Sequence, residues 1–121
     1  MKKITKFEDI ESWKLSKKLV LRVYEIFKKH KDFGFKNQIE RASVSVMNNI
    51  AEGFERRSNN EFKYFLYVSR GSAGEVRSML YLALELKKIT KEEFDELYTL
   101  TSNIAKLLSG LIRYLNTSNI K

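Results

Sequence analysis

The chain of 121 residues has no cysteine, no proline, only five glycines and a single histidine, His30. Without cysteine it can form neither disulfides nor thiolate metal sites, and one histidine cannot supply a histidine-cluster metal site. The lack of proline and the low glycine content argue against a sheet-rich fold with many turns. These absences exclude the familiar arrangements of catalytic side chains, so we expect a protein that is not an enzyme and that carries no metal or cofactor.

The chain has an excess of positive charge, because it contains 23 Lys and Arg but only 15 Asp and Glu, which gives a net charge of +8. A basic surface attracts polyanions such as RNA or DNA, or an acidic protein partner. The same charge also keeps a small protein soluble, and charge alone does not separate these explanations. No run of 18 apolar residues and no signal-peptide pattern is present, so we predict a cytoplasmic protein with no membrane role.

Hydrophobic periodicity divides the chain into four helical segments, which we predict to form a single domain over residues 1–121. The segments cover about residues 10–28, 36–54, 59–88 and 91–115. Two of them begin with a capping-box pattern, Ser58 with Glu61 and Thr90 with Glu93. Because the connections are short, neighbouring helices should be antiparallel, and we predict an all-α fold, an antiparallel up-down-up-down four-helix bundle.

The third and fourth helices carry more apolar surface than the core of one bundle needs. The run at residues 62–68 is apolar on nearly every side of a helix. A helix of this kind must bury a second face, and a monomeric four-helix bundle has nothing with which to cover it. We therefore predict that the protein is a homo-oligomer.

The second helix is rich in polar and small residues, and the third contains two glycines, Gly71 and Gly74. Each glycine costs a helix about 1 kcal/mol relative to alanine, which close helix–helix packing can compensate. We predict such packing at Gly71 and Ser72, with Arg41 paired to Glu75 or Glu52. The predicted structural polar network comprises Gln38, Arg41, Asn49, Glu52, Gly71, Ser72 and Glu75. A ligand or nucleic-acid site lined by the same residues is the alternative.

Basic residues of the first helix form the main candidate binding surface. Lys14, Lys18 and Arg22 recur every four residues along one helix edge, and Lys17 lies beside them. Exposed Lys and Arg side chains can bind backbone phosphates without any base-reading motif. The predicted nucleic-acid-binding residues are Lys14, Lys17, Lys18, Arg22, Arg56 and Arg57, of which the last two lie between the second and third helices. A solvated helix face is an equally good explanation of the same pattern.

Several sequence blocks together resemble one known family. The blocks are F-E-D-I-E-S-W at residues 7–13, Q-I-E-R-A-S-V-S-V-M-N-N-I-A-E-G-F at 38–54, R-R-S-N-N-E-F-K-Y-F-L at 56–66 and G-S-A-G-E at 71–75. They resemble the four-helix-bundle proteins encoded in intervening sequences of bacterial 23S rRNA genes. The resemblance extends over about residues 7–86, and the fourth helix matches only in its apolar character.

The resemblance implies an antiparallel bundle that assembles into a ring-like homopentamer. A related branch acts as the accessory protein of the reverse transcriptases of diversity-generating elements and contacts both enzyme and nucleic acid. One departure is Glu40, which stands where the family commonly has a basic residue. We predict a non-catalytic oligomer that binds nucleic acid, first of all RNA, through basic surface stripes. The alternative is a structural or adaptor protein whose oligomer docks a protein partner, with no nucleic-acid role.

Overall fold

A computed structural model describes residues 3–118, and within that range the protein is entirely helical, with no strand. A short 3-10 helix, Phe7–Asp9, precedes four α-helices. These are α1, Glu11–Ile26; α2, Phe33–Phe54; α3, Asn59–Glu85; and α4, Lys91–Thr117. The predicted all-α fold with four helices is confirmed. The predicted domain, residues 1–121, extends beyond the described residues at both ends.

The four helices pack in cyclic order. Helix α1 lies beside α2 and α4, and α3 lies beside the same two helices, whereas no Cα atoms of the described parts of α1 and α3 come within 8 Å of each other. Neighbouring helices are antiparallel, since Gly53 near the end of α2 lies against Phe62 near the start of α3. A buried hydrogen bond, donated by Ser69 Oγ to the carbonyl oxygen of Val46 at 2.6 Å, joins the middles of the same two helices.

Side-chain caps explain where three of the helices begin. Asp32 accepts a hydrogen bond from the Phe35 amide at 3.2 Å, so α2 begins at residue 33 rather than 36. Thr90 forms the complete predicted capping box at the start of α4. At the start of α3 only half of the box forms. Ser58 Oγ accepts from the Glu61 amide and donates to that residue's carboxylate, both at 3.2 Å.

Helix α3 ends at residue 85, before the predicted residue 88, because the backbone reverses at Lys87. Lys87 has a φ of 59°, the left-handed conformation that glycine usually supplies at a helix C-terminus. The amide of Lys88 then donates to the carbonyl oxygen of Ala83 at 2.8 Å, which closes the last turn. This turn sets the direction in which the chain enters α4.

One apolar core runs the length of the bundle. The fully buried large side chains are Phe27, Phe62, Leu19, Ile39, Ile50, Leu66, Leu80, Leu97, Ile104, Leu108, Val23 and Val46. Ser12 and Ser16 of α1 are buried, whereas Trp13 is only partly buried. Its ring packs edge-on against Phe7 at 5.3 Å between centroids, so the 3-10 helix covers it from outside.

Candidate nucleic-acid interface

The start of α1, the loop between α2 and α3, and the end of α4 lie at the same end of the bundle, because successive helices run in opposite directions. Asn59, the first residue of α3, donates a 2.7 Å hydrogen bond to the carbonyl oxygen of Ser118, which follows α4. The fold therefore brings Lys14 near the start of α1 and Arg57 in the loop to one end of the molecule, although they are far apart in sequence.

The three lysines of the predicted stripe are exposed, with differing partners. Lys14 Nζ lies 3.5 Å from Glu11 Oε1, a weak surface pair. Lys17 Nζ lies 5.8 Å from the centre of the Trp13 ring, a cation–π contact that leaves its charge uncompensated. Lys18 has no ion pair with any described residue. Lys17 and Lys18 are therefore the stripe residues with the most available charge.

Arg22 is the stripe residue whose charge is used inside the protein. Its Nε and Nη2 atoms donate to the two carboxylate oxygens of Glu96 on α4, at 2.5 and 2.8 Å. Its Nη1 atom donates to Glu25 at 2.5 Å. A bidentate arginine–carboxylate pair is strong and geometrically specific. Arg22 thus clamps α1 to α4, and two carboxylates already occupy its guanidinium.

We predict a pH dependence from this clamp. The hydrogen bonds from Arg22, and the positive charges of Arg22 and Lys18, lower the pKa of Glu96 below its ordinary 4.5 against the opposing effect of burial. A lowered pKa stabilises the fold above the unfolded value of about 4.5, and this stabilisation is lost as the pH falls through the folded value. Because the Arg22 and Glu96 side chains stay 29% and 39% exposed, screening limits the contribution to about 0.5 kcal/mol.

The measurement is urea unfolding of wild type and Glu96→Gln at pH 7 and pH 3. We expect Glu96→Gln to be less stable than wild type at pH 7 and the difference to be smaller at pH 3. Glu55→Gln is the control, since Glu55, which follows α2, is an exposed carboxylate without an ion pair among the described residues. An equal deficit of Glu96→Gln at both pH values would contradict the prediction.

The two arginines between α2 and α3 differ in whether their charge is already paired with a carboxylate, as the residues of the α1 stripe do. Arg56 Nη2 lies 2.6 Å from Glu52 Oε2, and its guanidinium lies 4.7 Å from the centre of the Phe65 ring. Arg57 is exposed and lines a shallow cleft with Asn60 and the end of α4. Arg56 therefore holds the loop against α2 and α3, and Arg57 has the more available charge of the two.

The predicted polar network forms in part, between α2 and α3. Ser45 Oγ and Ser72 Oγ are 2.9 Å apart and hydrogen-bonded, and Asn49 Nδ2 donates to Ser45 Oγ at 2.9 Å. Ser45, four residues before Asn49 and on the same face of α2, is the central member of this hydrogen-bonded chain.

The predicted ion pairs of Arg41 are absent from the described structure. Glu52 pairs with Arg56 instead, four residues further along the same helix, a contact that needs no second helix. Arg41, Glu75 and Gln38 are all exposed. They lie on the outer surface of α2 and α3 rather than in a buried network.

Close packing of α2 against α3 does occur at a glycine, but the glycine is Gly53 of α2 rather than Gly71 of α3. A Cβ atom placed on Gly71 would meet nothing within 4 Å, and one on Gly74 would meet only the Arg77 guanidinium at 3.8 Å. At Gly53, by contrast, a Cβ atom would lie 2.7 Å from the Cβ of Phe65. Gly53 lies inside α2, and of the five glycines it has the tightest contact between α2 and α3. The expectation of close packing at Gly71 is wrong for the folded chain.

Two basic residues of α4 join this end of the bundle and were missed from sequence. Lys106 lies beside Lys14 in the wall of a cavity between α1 and α4. Arg113 follows Lys106 by seven residues, so both lie on the same face of α4, and both are exposed. Only the packing of α4 against α1 places them with the α1 lysines.

His30 packs against Phe27, with ring centres 4.8 Å apart. Within residues 3–118, no group of three or more His, Cys, Asp or Glu side chains is arranged to hold a metal ion. None of the described helices has the length and apolar character needed to cross a membrane.

Comparison with models of known protein families finds one family that matches most of the chain. The family model described as 23S rRNA-intervening sequence protein matches residues 8–110. The chain belongs to this family. The match covers all of α1, α2 and α3 and most of α4, so the expected resemblance is confirmed and extends into the fourth helix.

A protein of known structure is similar to this chain in fold. It is the 1.70 Å crystal structure of a protein of unknown function from the S23 ribosomal protein family of Bacteroides thetaiotaomicron. The two chains are 25% identical with a TM-score of 0.79, over 84% of this chain and 98% of that chain. No curated protein is significantly similar in sequence to this chain. Family membership thus establishes the bundle and leaves the activity to be argued from the surface.

Proposed function

We propose that this member of the 23S rRNA-intervening sequence protein family is a non-catalytic, cytoplasmic, homo-oligomeric protein that binds RNA. In this proposal Lys14, Lys17 and Lys18 contact backbone phosphates. The observation that carries it is the exposure of these ammonium groups on one helix, with Lys17 and Lys18 free of ion pairs among the described residues. The family description, which contains 23S rRNA, makes RNA the first polyanion to test.

The surrounding residues divide into two roles under this proposal. Arg57, Lys106 and Arg113 are exposed, have no ion pair among residues 3–118, and would extend the positive surface around the same end of the bundle. Arg22 and Arg56, which already pair with carboxylates, would be positioning residues.

Lysine contacts of this kind predict binding with little sequence preference and strong salt dependence. Each phosphate contact releases condensed counterions, so the logarithm of the affinity falls with the logarithm of the salt concentration by about 0.7 to 0.9 per contact. A homo-oligomer repeats the stripe on every copy, so weak contacts would add up on one RNA molecule.

The test is fluorescence anisotropy of a labelled structured RNA at 50 and 200 mM salt. It compares wild type with the triple variant Lys14→Gln, Lys17→Gln, Lys18→Gln. We expect the triple variant to bind about tenfold or more weakly at 50 mM salt. The slope of the logarithm of its affinity against the logarithm of the salt concentration should be shallower by the amount that about two to three phosphate contacts contribute. The matched control is Lys28→Gln, Lys29→Gln, Lys31→Gln, which removes the same charge from exposed lysines near the opposite end of the bundle.

Two results would contradict the proposal. Equal weakening by the two triple variants would mean that net charge alone, without a located surface, attracts the RNA. An absence of binding by wild type at 50 mM salt would remove RNA as the partner. It would leave the +8 charge as a determinant of solubility or of attraction to an acidic protein.

A second candidate function, a structural or adaptor protein that docks a protein partner, is favoured by the outward face of α3. Tyr64, Val68 and Leu82 are 63%, 36% and 49% exposed. Together with Gly71 and residues 75 and 78, they recur every three or four residues, the spacing of a helix–helix seam. We propose that this seam packs between copies of the chain, as the implied ring-like homopentamer requires, and that a protein partner would dock on the assembled oligomer.

A further inference from the structure

A cavity of about 640 Å³ lies between the N-terminal segment, the start of α1 and the end of α4. Its walls include the side chains of Ile4, Ile10, Leu107 and Leu111, and Gly110 leaves the α4 wall open. Leu107 is 41% exposed although it borders this concave surface. Aliphatic walls around an open volume favour an apolar ligand group, which would cover surface that now faces water.

The start of α1 supplies unused hydrogen-bond donors to the same cavity. Ile10 is the N-cap residue and provides no side-chain cap, unlike Asp32, Ser58 and Thr90 at the other three helices. The first helical hydrogen bond is donated by the Lys14 amide to the carbonyl oxygen of Ile10, so the preceding amides have no acceptor within the helix. A helix N-terminus of this kind carries partial positive charge.

A buried hydroxyl points independently to a missing partner at this place. Ser12, in the first turn of α1, borders the cavity and is 2% exposed. Its Oγ atom has no hydrogen-bond partner among the described residues, whereas the equally buried hydroxyls of Ser16, Ser43 and Ser69 all donate to carbonyl oxygens. A buried polar group without a partner is costly, and a ligand oxygen would supply one.

The charges around the cavity are positive on balance. Lys3, Lys14 and Lys106 line it together with the carboxylates of Asp9 and Glu11, which leaves one net positive charge. Glu11 is paired with Lys14 at 3.5 Å. Lys106 has no ion pair among residues 3–118. One surplus cation and the uncapped helix start favour a ligand with a single anionic group rather than a polyanion.

We propose that this cavity binds a small organic anion, one carboxylate or phosphate group attached to an aliphatic body. The anionic group would lie at the start of α1, near the Ser12 hydroxyl and Lys106, and the aliphatic body would lie along Leu107 and Leu111. Lys14 and Lys106 border both this cavity and the proposed RNA surface, so the binding of the small anion is tested without nucleic acid, and its outcome does not depend on RNA binding.

The test is titration of the full chain with octanoate and, separately, with octyl phosphate. The readouts are the fluorescence of the single tryptophan, Trp13, and the amide chemical shift of Ser12. 1-Octanol supplies the aliphatic body without charge, and inorganic phosphate supplies the charge without the body. We expect one saturable site per chain for octanoate, octyl phosphate or both, with at least tenfold weaker binding of 1-octanol and inorganic phosphate. The tighter of the two anions identifies the headgroup as carboxylate or phosphate.

The variant Gly110→Leu places a side chain in the cavity without changing charge. Its matched control is Gly74→Leu, because at both glycines a Cβ atom would meet only the guanidinium of an arginine three residues later, at 3.8 Å. We expect Gly110→Leu to abolish binding of the tighter of the two anions and Gly74→Leu to retain it. Lys106→Gln should weaken that anion about fivefold and leave 1-octanol unchanged. The proposal is overturned if neither anion saturates, if 1-octanol binds as tightly as the anions, or if Gly110→Leu binds them like wild type.

Discussion

Gly53→Ala is expected to destabilise the fold by about 2 kcal/mol, one of the two largest effects that we predict. Its added Cβ atom would lie 2.7 Å from the Cβ of Phe65, 3.1 Å from a ring carbon of Phe62 and 3.2 Å from the Phe62 carbonyl oxygen. Two of these atoms belong to or adjoin the α3 backbone, so no side-chain rotation relieves the contact. Helices α2 and α3 must separate locally, at a cost greater than the roughly 1 kcal/mol that alanine contributes to a helix.

Thermal unfolding checks this prediction, with a fall in Tm of about 8 °C for Gly53→Ala. Gly74→Ala is the matched control, since its Cβ atom would meet only the Arg77 guanidinium at 3.8 Å. That variant should gain helix stability and raise Tm by about 4 °C. If the change in Tm is negative for Gly53→Ala and positive for Gly74→Ala, the difference comes from the packing of α2 against α3 at Gly53. A Gly53→Ala protein as stable as wild type would contradict the close approach.

The double variant Val68→Asp, Leu82→Asp is expected to abolish self-association. Both side chains lie on the outward seam of α3, where they are 36% and 49% exposed in the single chain. The bundle core should therefore tolerate the change, whereas two unpaired carboxylates buried between copies would weaken association about 100-fold or more. Light scattering after size-exclusion chromatography should then give the 14.3 kDa mass of one chain for the variant and an oligomer for wild type.

The control for the seam is a second pair of exposed apolar residues on another helix. Leu21 and Tyr24 of α1 are 61% and 46% exposed. Leu21→Asp with Tyr24→Asp introduces the same two charges without touching α3, and it should retain the oligomer. An α3 variant that keeps the wild-type mass, or an α1 variant that loses it equally, would show that the seam is not where copies associate.

Helix positions were the most predictable feature of this protein, because the interactions that set them are local. Thr90 and Glu93 are three residues apart, and their reciprocal hydrogen bonds involve no other helix. The errors at helix ends have local causes that the pattern did not reveal. Helix α2 begins earlier than predicted because Asp32 caps it. Helix α3 ends earlier than predicted because Lys87 adopts a left-handed conformation that lysine seldom takes.

The candidate site was less predictable, because its properties depend on which distant residues meet. Lys14, Lys18 and Arg22 are equivalent by spacing, yet Glu96, 74 residues further along, neutralises only Arg22 by a bidentate pair. Lys106 joins the lysines of α1 for the same reason, since α4 packs against α1 in the antiparallel direction. Periodicity identifies the exposed side of a helix and does not identify its neighbours.

By itself, the sequence determined the number of helices, most of their bounds, the excess of basic residues and the family, because composition, periodicity, caps and motif blocks are properties of the chain read in order. The tertiary structure alone decided that Gly53, and not Gly71, is the glycine of closest helix contact. It also decided that Arg22 is a clamp while Lys17 and Lys18 are free, and that Ser12 borders a cavity with its hydroxyl unpartnered. Each of these facts depends on which side chains of different helices meet, and this is decided only when the faces of the helices pack together.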